Sequence, residues 1–226
     1  MISGKTFSAP GDVTFVFLDA NVVAKPVTRT LLMVGASRSG FVVGWSATAE
    51  AEAARHMRPN ATRPVDVRRR YGGELTPTGN VAGRFEATDA KDRQLLADAG
   101  AAGARFIVTE DVDDYGLADL ASVGISAVNP DLFLAERLTR AAYTFVIQRF
   151  VELQVSPPTT PAQFHAAIAK NHPRLFATHA DLYEMESERG IHGEPAVIFR
   201  GTRCLRCERI FDDSVTIIDG LGPECR

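Results

Sequence analysis

Residues 13–21 read VTFVFLDAN, and this stretch decides the fold prediction. Its first six residues are apolar, aromatic or β-branched without a break, which predicts a strand buried on both faces, as in a parallel sheet. The strand ends at Asp19, and Asn21 follows two positions later. Because ligands bind at the carboxyl ends of strands in open α/β sheets, Asp19 is the first candidate site residue.

The same order of buried strand and acidic residue recurs at residues 106–109, FIVT, which Glu110, Asp111, Asp113 and Asp114 follow closely. A further short strand is predicted at 125–128. Helices are predicted between and after these strands, at 28–37, 46–57, 88–100 and 117–122 and from residue 130 onward. Strands that alternate with helices predict an α/β domain with a central parallel sheet.

The predicted helix at 88–100 carries an acidic residue on its apolar face. Asp92, Leu95, Leu96 and Ala99 are spaced i, i+3, i+4 and i+7 and therefore share one side of the helix. With Thr88 or Asp89 as the cap, Asp92 lies in the first turn. A carboxylate on that side needs a reason, which metal coordination or compensation of the helix dipole would supply.

The segment 58–87 is rich in Arg, Pro and Gly, has no clear period, and is predicted to be a loop on the substrate side, part of which is helical. Six arginines occur from Arg55 to Arg70 with a single acid, Asp66. Since the net charge of the chain is −3, affinity for a polyanion has to come from such local patches. A solvated loop with charged helix ends explains the same residues equally well.

Beyond the first domain the pattern is helical. Residues 135–153 form one long helical stretch, and Thr160 begins another helix that runs to about residue 170. From about residue 190 the chain is rich in Gly and Cys, and residues 197–199 suggest a hairpin strand. The predicted organisation is an α/β domain at 1–135, a helical extension at 136–189 and a small Cys-rich module at 190–226.

All three cysteines, Cys204, Cys207 and Cys225, lie in this last module. Their number is odd and their spacing is not that of a disulfide framework, so a metal site is the better interpretation. A C-x-x-C turn closed by a cysteine in a Gly-Pro turn is typical of structural zinc. His192 or an acid such as Asp212 could complete the tetrahedron; three reduced cysteines without metal are the alternative. Arginines interleave with the module and are weaker candidates for phosphate contacts: Arg200, Arg203, Arg206 and Arg209.

Other function classes lack their motifs. No G-x-S-x-G elbow, Walker loop or G-x-G-x-x-G after a strand occurs in the sequence. No run approaches the ~20 apolar residues of a membrane helix, and the first residues lack the apolar stretch of a secretory signal. The expected compartment is therefore the cytoplasm, without a membrane partner.

Several motifs, taken in order, resemble the landmarks of PIN domains, most closely those of bacterial toxins of the VapC type. They are FLDANV at 17–22, Trp45-Ser46 followed by Glu52, DAKDR at 89–93, FIVT at 106–109 with Asp111 and Asp114-Tyr115, and NPDLFL at 129–134. The resemblance covers about the first 135 residues, and the helices after it resemble the extension of that branch. It implies a three-layer fold.

The resemblance also implies a metal-dependent endoribonuclease whose acidic tetrad corresponds to Asp19, Glu52, Asp92 and Asp111. Four carboxylates that converge without basic partners require divalent cations between them, and oxygen ligands favour Mg²⁺ or Mn²⁺. Asn21 and Thr109 are candidates to support this set. RNA is the implied substrate, an antitoxin protein the implied partner, and members of the family often form homodimers.

Two positions of the tetrad have competitors. Glu50 lies on the same predicted helix as Glu52, and Glu110, Asp113 and Asp114 compete with Asp111. Two other functions also fit the sequence: a non-catalytic nucleic-acid or protein-binding module with a vestigial acidic site, and a nuclease that acts on structured DNA.

Overall fold

The computed structural model describes residues 13–71, 73–154, 156–185, 197–211 and 217–226. In this part of the chain a five-stranded sheet has the order β2-β1-β3-β4-β5. The strands are β1 (Thr14–Leu18), β2 (Phe41–Gly44), β3 (Phe106–Val108), β4 (Ser126–Val128) and β5 (Phe199–Arg200). The first four are mutually parallel, and β5 pairs antiparallel with β4. The predicted α/β architecture with a mainly parallel sheet is thus confirmed.

The centre of the sheet is covered on both faces. In β3 all three residues are buried, as are four of the five in β1. Because successive side chains of a strand point to opposite faces, this burial means that both faces pack against other elements. The continuous apolar runs in the sequence arise from this packing.

Ten α-helices surround the sheet in the described residues. They are α1 (Ala20–Val23), α2 (Pro26–Ala36), α3 (Ala47–His56), α4 (Pro64–Arg70), α5 (Arg93–Ala101), α6 (Leu117–Val123), α7 (Pro130–Arg137), α8 (Arg140–Leu153), α9 (Pro161–Ile168) and α10 (Pro173–Thr178). Side chains cap several of their first turns: Ser46 accepts from the N–H of Ala49, and Thr160 forms a capping box with Gln163. These polar caps satisfy N–H groups that have no partner inside the helix.

Three local expectations differ from the structure. Strand β2 is absent from the sequence predictions because only four residues form it, too few for a clear pattern. The expected single helix over 135–153 is divided at Leu138, since Thr139 adopts an extended backbone and caps α8 with its hydroxyl. Residues 197–199 do not form a hairpin strand within their own module; β5 instead completes the sheet edge beside β4.

The helical extension packs against the first domain. Asp131 of α7 accepts hydrogen bonds from the N–H groups of Arg174 and Leu175, each at 3.0 Å, and so caps α10 from another helix. In addition, His172 Nε2 lies 3.0 Å from the Thr28 hydroxyl of α2. None of the helices in the described residues is long and apolar enough to cross a membrane.

Candidate metal centre

Asp19 lies at the carboxyl end of β1, which is an inner strand between β2 and β3. Its N–H donates to the carbonyl of Val108 at 3.0 Å, which continues the pairing of β1 with β3. Its buried carboxylate accepts hydrogen bonds from the N–H of Ala20 at 2.5 Å, from the Thr109 hydroxyl at 2.6 Å and from the Tyr115 hydroxyl at 3.1 Å. The carboxylate is therefore held in one orientation at the sheet edge where ligands bind.

Burial raises the pKa of Asp19 to about 6, against 3.8 for a free side chain. Its hydrogen bonds from Thr109, Ala20 and Tyr115 lower the pKa, and the charge of Glu52 raises it further. Burial raises the pKa of Asp19 more than these hydrogen bonds lower it. The site is therefore unfavourable for a carboxylate anion that has no cation beside it.

Asp92 is buried, and it is the residue that precedes α5. Burial raises its pKa to about 7, and the negative charge of Asp19 is the next largest cause. Its Oδ2 atom is buried without any hydrogen-bond partner among the described residues. A buried carboxylate oxygen without a donor is rare and costly, and a metal ion is one group that could satisfy it.

The expected placement of Asp92 in the first turn of a helix capped by Thr88 or Asp89 is wrong. The Thr88 hydroxyl instead accepts from the N–H of Gly116, and the Asp89 carboxylate accepts from the N–H of Lys91. Residues 89–92 form a turn, and Asp92 occupies the cap position, but its carboxylate accepts no hydrogen bond from an N–H of the helix. The buried side shared by Asp92, Leu95, Leu96 and Ala99 is as the spacing predicts.

The two glutamates of α3 have different surroundings. Glu50 accepts hydrogen bonds from Arg68 at 2.8 Å and from the Trp45 indole N–H at 2.9 Å. The hydrogen bond from Arg68 is the main cause that lowers the pKa of Glu50. Glu52 is half-buried, and its charge contributes to the raised pKa values of Asp19 and Tyr115. The structure thus brings Glu52 toward the acidic site and commits Glu50 to a neighbouring ion pair.

Among the described acidic residues after β3, as on α3, some are paired with a basic side chain and one is not. Asp111 Oδ2 accepts a hydrogen bond from the Asn21 amide at 3.1 Å, and the same amide donates to the Thr109 hydroxyl at 3.1 Å. The competing acids are each held by a cation, in the pairs Glu110–Lys25, Asp113–Arg200 and Asp114–Lys91. Asp111 is the member of this loop whose carboxylate joins the Asp19 network.

The residues Asn21 and Thr109, expected to support the acids, both lie within this network. Tyr115 also belongs to it, although sequence reasoning assigns it no role; it is fully buried, and burial raises its pKa well above the usual value. In the sequence, the only hint of its role is its position directly after the acidic residues that follow β3. The fold shows that its hydroxyl donates to Asp19.

The four candidate acids do not form a tight cluster. Within the described residues, no three of their carboxylates have ligand oxygens within 4.8 Å of one another. Mutual repulsion opposes closer approach: after burial, the charge of Asp19 is the next largest cause that raises the pKa of Asp92, and the charge of Glu52 adds to the raised pKa of Asp19. The donor set nonetheless fits a hard divalent cation, since it consists of carboxylate oxygens and includes one that has no other partner.

A second candidate metal site lies in the C-terminal segment. The sulfur atoms of Cys204, Cys207 and Cys225 are all within 4.8 Å of one another, close enough to bind one ion. Burial of Cys204 is offset by N–H donors from Cys207, Gly222 and Arg206, which leave the pKa of its thiol below the usual value. Such donors stabilise a thiolate, the form that binds metal. The fourth-ligand candidates His192 and Asp212 lie outside the described residues.

The arginine-rich segment lies on α3, α4 and the turn between them. Arg68 is committed to Glu50, and Arg63 pairs with Asp66 at 2.9 Å. Four others are exposed and form no ion pair with a described residue: Arg55, Arg58, Arg69 and Arg70. Since α3 also carries Glu52, this positive surface begins on an element of the acidic site.

No model of a known protein family, no curated protein and no solved structure matches this chain.

Proposed function

We propose that this chain is a PIN-type, Mg²⁺- or Mn²⁺-dependent endoribonuclease. The observation that carries the proposal is the buried pair Asp19 and Asp92 at the carboxyl edge of the sheet. Neither carboxylate has an ion-pair partner in the described part of the chain, and one Asp92 oxygen has no hydrogen-bond donor at all. Two such acids are retained at the centre of a domain at a cost in stability, and cation binding would account for them.

Asp19, Glu52, Asp92 and Asp111 are the residues that would hold the ion or ions. When bound, such ions polarise a scissile phosphate and make a nearby water molecule a stronger nucleophile. Thr109 and Tyr115 orient Asp19, and Asn21 joins Asp19, Thr109 and Asp111 through its amide. No serine, cysteine or histidine nucleophile is required, because water is the attacking group in this chemistry.

Single-stranded RNA is the proposed substrate. The four exposed arginines of α3, α4 and their connecting turn form no ion pair with a described residue and offer contacts to phosphates. Because the net charge of the chain is −3, attraction to a polyanion has to come from such a local patch. The order of PIN-like motifs supports a three-layer fold of this family and a toxin whose partners are an antitoxin and a second copy of the chain.

The cysteine cluster is proposed to hold a structural Zn²⁺. Thiolate sulfurs favour zinc over Mg²⁺, so the two candidate sites select different ions. The fourth zinc ligand is proposed to come from the segments that carry His192 and Asp212.

The direct test is cleavage of matched RNA and DNA oligonucleotides by the purified chain with Mn²⁺, with Mg²⁺ and with chelator. We expect metal-dependent cleavage of RNA that Asp19→Asn abolishes. Asp181→Asn is the matched control, since Asp181 is an exposed acid paired with Arg140 in the helical extension. Cleavage of DNA alone would assign the site to a DNA nuclease. If the chain cleaves neither RNA nor DNA, and Mn²⁺ binding is absent or unchanged by Asp92→Asn, the chain is a non-catalytic binding module.

A further inference from the structure

In the C-terminal segment, Arg200 donates hydrogen bonds to the loop that carries Asp111. Arg200 lies in β5, opposite Ala127 of β4. Its Nη1 donates to the carbonyls of Asp113 and Tyr115, both at 3.2 Å, and its Nη2 donates to the Asp113 carboxylate at 2.7 Å. The guanidinium therefore holds both the backbone and a side chain of the loop at 111–115.

Both ends of this loop belong to the acidic site. At its start, the Asp111 carboxylate accepts from Asn21; at its end, the Tyr115 hydroxyl donates to Asp19. Between them the loop is a single short 3-10 turn with two internal hydrogen bonds, from the N–H of Asp114 to Asp111 at 3.1 Å and from the N–H of Tyr115 to Val112 at 3.3 Å. So short an element has few internal hydrogen bonds, and external donors largely determine how firmly it is held.

Arg200 itself is held on a rigid base. The next residue, Gly201, has φ +150°, and a Cβ added there would lie 2.1 Å from the Ser126 hydroxyl oxygen. Only glycine allows the chain to approach β4 so closely. Arg203 then donates to the carbonyl of Gly124 through Nε at 3.1 Å and Nη2 at 3.0 Å.

The turn that carries Cys204 and Cys207, here called the cysteine turn, follows Arg203 directly and is fixed to the first domain. Glu208, directly after Cys207, is paired with Arg137 at 2.7 Å and with Arg105, and it also accepts from the Thr14 hydroxyl. Leu205, within the turn, is fully buried in the main hydrophobic core. The cysteine turn, β5 and the acidic loop are thus joined by continuous contacts.

We propose that Arg200 is a positioning residue for the acidic site, through which the C-terminal cysteine segment holds Asp111 and Tyr115 in place. The inference rests on the proposed function for its effect on cleavage. Its structural part, the ordering of the loop at 111–115, does not depend on that function. A direct contact of Arg200 with RNA phosphate is the rival role. A lysine could replace Arg200 in a contact with phosphate, which needs a positive charge, but not in the loop contact, which needs several donors in a fork.

The test compares Arg200→Ala with Arg200→Lys in the full chain. Lysine keeps the positive charge but cannot donate to two carbonyls and a carboxylate in a fork. If Arg200 positions the loop, both variants raise amide hydrogen exchange at 111–116 by about tenfold while exchange in β1 and β3 is unchanged. Both also weaken Mn²⁺ binding, followed by electron paramagnetic resonance, by about tenfold, as loss of an outer-shell partner does.

Arg149→Ala is the matched control, because Arg149 forms an exposed ion pair with Glu152 on α8, away from the loop. It is expected to behave as wild type in both measurements. Unchanged exchange at 111–116 in Arg200→Ala would overturn the inference, whether or not the chain cleaves RNA. Wild-type exchange and Mn²⁺ binding in Arg200→Lys beside a defective Arg200→Ala would overturn it too, because a single positive charge would then be enough. An RNA-cleavage defect in Arg200→Ala that Arg200→Lys restores, with wild-type exchange at 111–116 in both, would assign Arg200 to a charge contact with phosphate instead. Altered exchange in a chain that cleaves nothing would support the inference and refute the proposed function.

Discussion

The hydroxyl of Thr109 donates a hydrogen bond of 2.6 Å to the carboxylate of Asp19, and both residues are buried. The bond joins the residues that follow two adjacent strands, β1 and β3. The same hydroxyl accepts from the Asn21 amide and from the N–H of Asp111, each at 3.1 Å. One oxygen atom therefore orients residues from both strand ends.

Thr109→Val is expected to disrupt this arrangement without changing the side-chain shape. Loss of the hydroxyl leaves donors and an acceptor in the buried network unmatched, at a cost of about 1–3 kcal/mol in the free energy of unfolding. It also removes a donor that lowers the pKa of Asp19, so that pKa rises above about 6. Mn²⁺ affinity should fall, and the acidic limb of the cleavage profile should move to higher pH.

Thr109→Ser is the control for that substitution, since serine restores the hydroxyl. It should recover Mn²⁺ affinity and the position of the acidic limb. A valine variant with wild-type metal affinity and pH profile would remove Thr109 from the site.

Asp92→Asn is expected to stabilise the metal-free protein above neutral pH. The pKa of Asp92 is raised from 3.8 to about 7 on folding, so the folded state binds the proton more tightly than the unfolded state. This contribution to stability is fully present below pH ~4 and is lost as pH rises through about 7. As the pH rises from about 4 to above 7, the free energy of unfolding of wild type should fall by on the order of 2–4 kcal/mol relative to that of the variant. Thermal unfolding in the presence of chelator measures this difference.

Wild type and Asp92→Asn are compared at the same pH, so the titrations that both proteins share cancel in the difference between their free energies of unfolding. Burial lowers the pKa values of His172 and His179 to about 4, which opposes the trend of Asp92 but is common to both proteins. Added Mn²⁺ should then raise the unfolding temperature of wild type and leave that of Asp92→Asn nearly unchanged. Parallel stability profiles in chelator would contradict the raised pKa.

Substitution of the two glutamates of α3 is expected to have opposite effects. Glu50→Gln loses the charge of a partly buried pair with Arg68, which should cost about 1–3 kcal/mol of stability with metal affinity retained. Glu52→Gln removes a charge that raises the pKa of Asp19, so metal-free stability should hold or increase. Its Mn²⁺ affinity and cleavage should fall.

These two variants serve as each other's control, because they lie two residues apart on one helix. Isothermal titration with Mn²⁺ and chemical denaturation separate the two effects. Loss of Mn²⁺ binding in Glu50→Gln with normal binding in Glu52→Gln would reverse their assignments.

The cysteine site is expected to bind one Zn²⁺ ion per chain. Because thiolate binding is coupled to folding, removal of the ion or Cys204→Ser should lower the unfolding temperature, with a loss on the order of several kcal/mol. Metal analysis of the purified protein and thermal unfolding with and without a zinc chelator measure this. Asp19→Asn should retain the zinc, since the two sites share no ligand. A purified chain without zinc, whose unfolding temperature added Zn²⁺ does not change, would contradict the site.

The sheet could be predicted because its strands carry their own signal. Residues 13–18 and 106–108 are continuous apolar runs, and such runs require burial on both faces. Helical spacing alone predicts that Asp92 shares the buried side of Leu95 and Leu96, since that spacing is a local property. The sequence does not predict the division of the stretch at 135–153, because the cap residue Thr139 is a weak signal between two segments that both have a helical pattern.

The amino-acid sequence by itself determined the α/β class, the strand ends where Asp19 and Asp111 lie, and the cysteines available for a metal site, because these depend on short-range pattern and residue type. Only the tertiary structure decided which acids are neutralised. Glu50 and Asp113 are committed to Arg68 and Arg200, partners 18 and 87 residues away, and spacing along the chain does not encode such pairs. Among the described residues, the fold leaves Asp92 buried with one carboxylate oxygen that has no hydrogen-bond partner, and the proposed metal site rests on that feature together with the neighbouring Asp19.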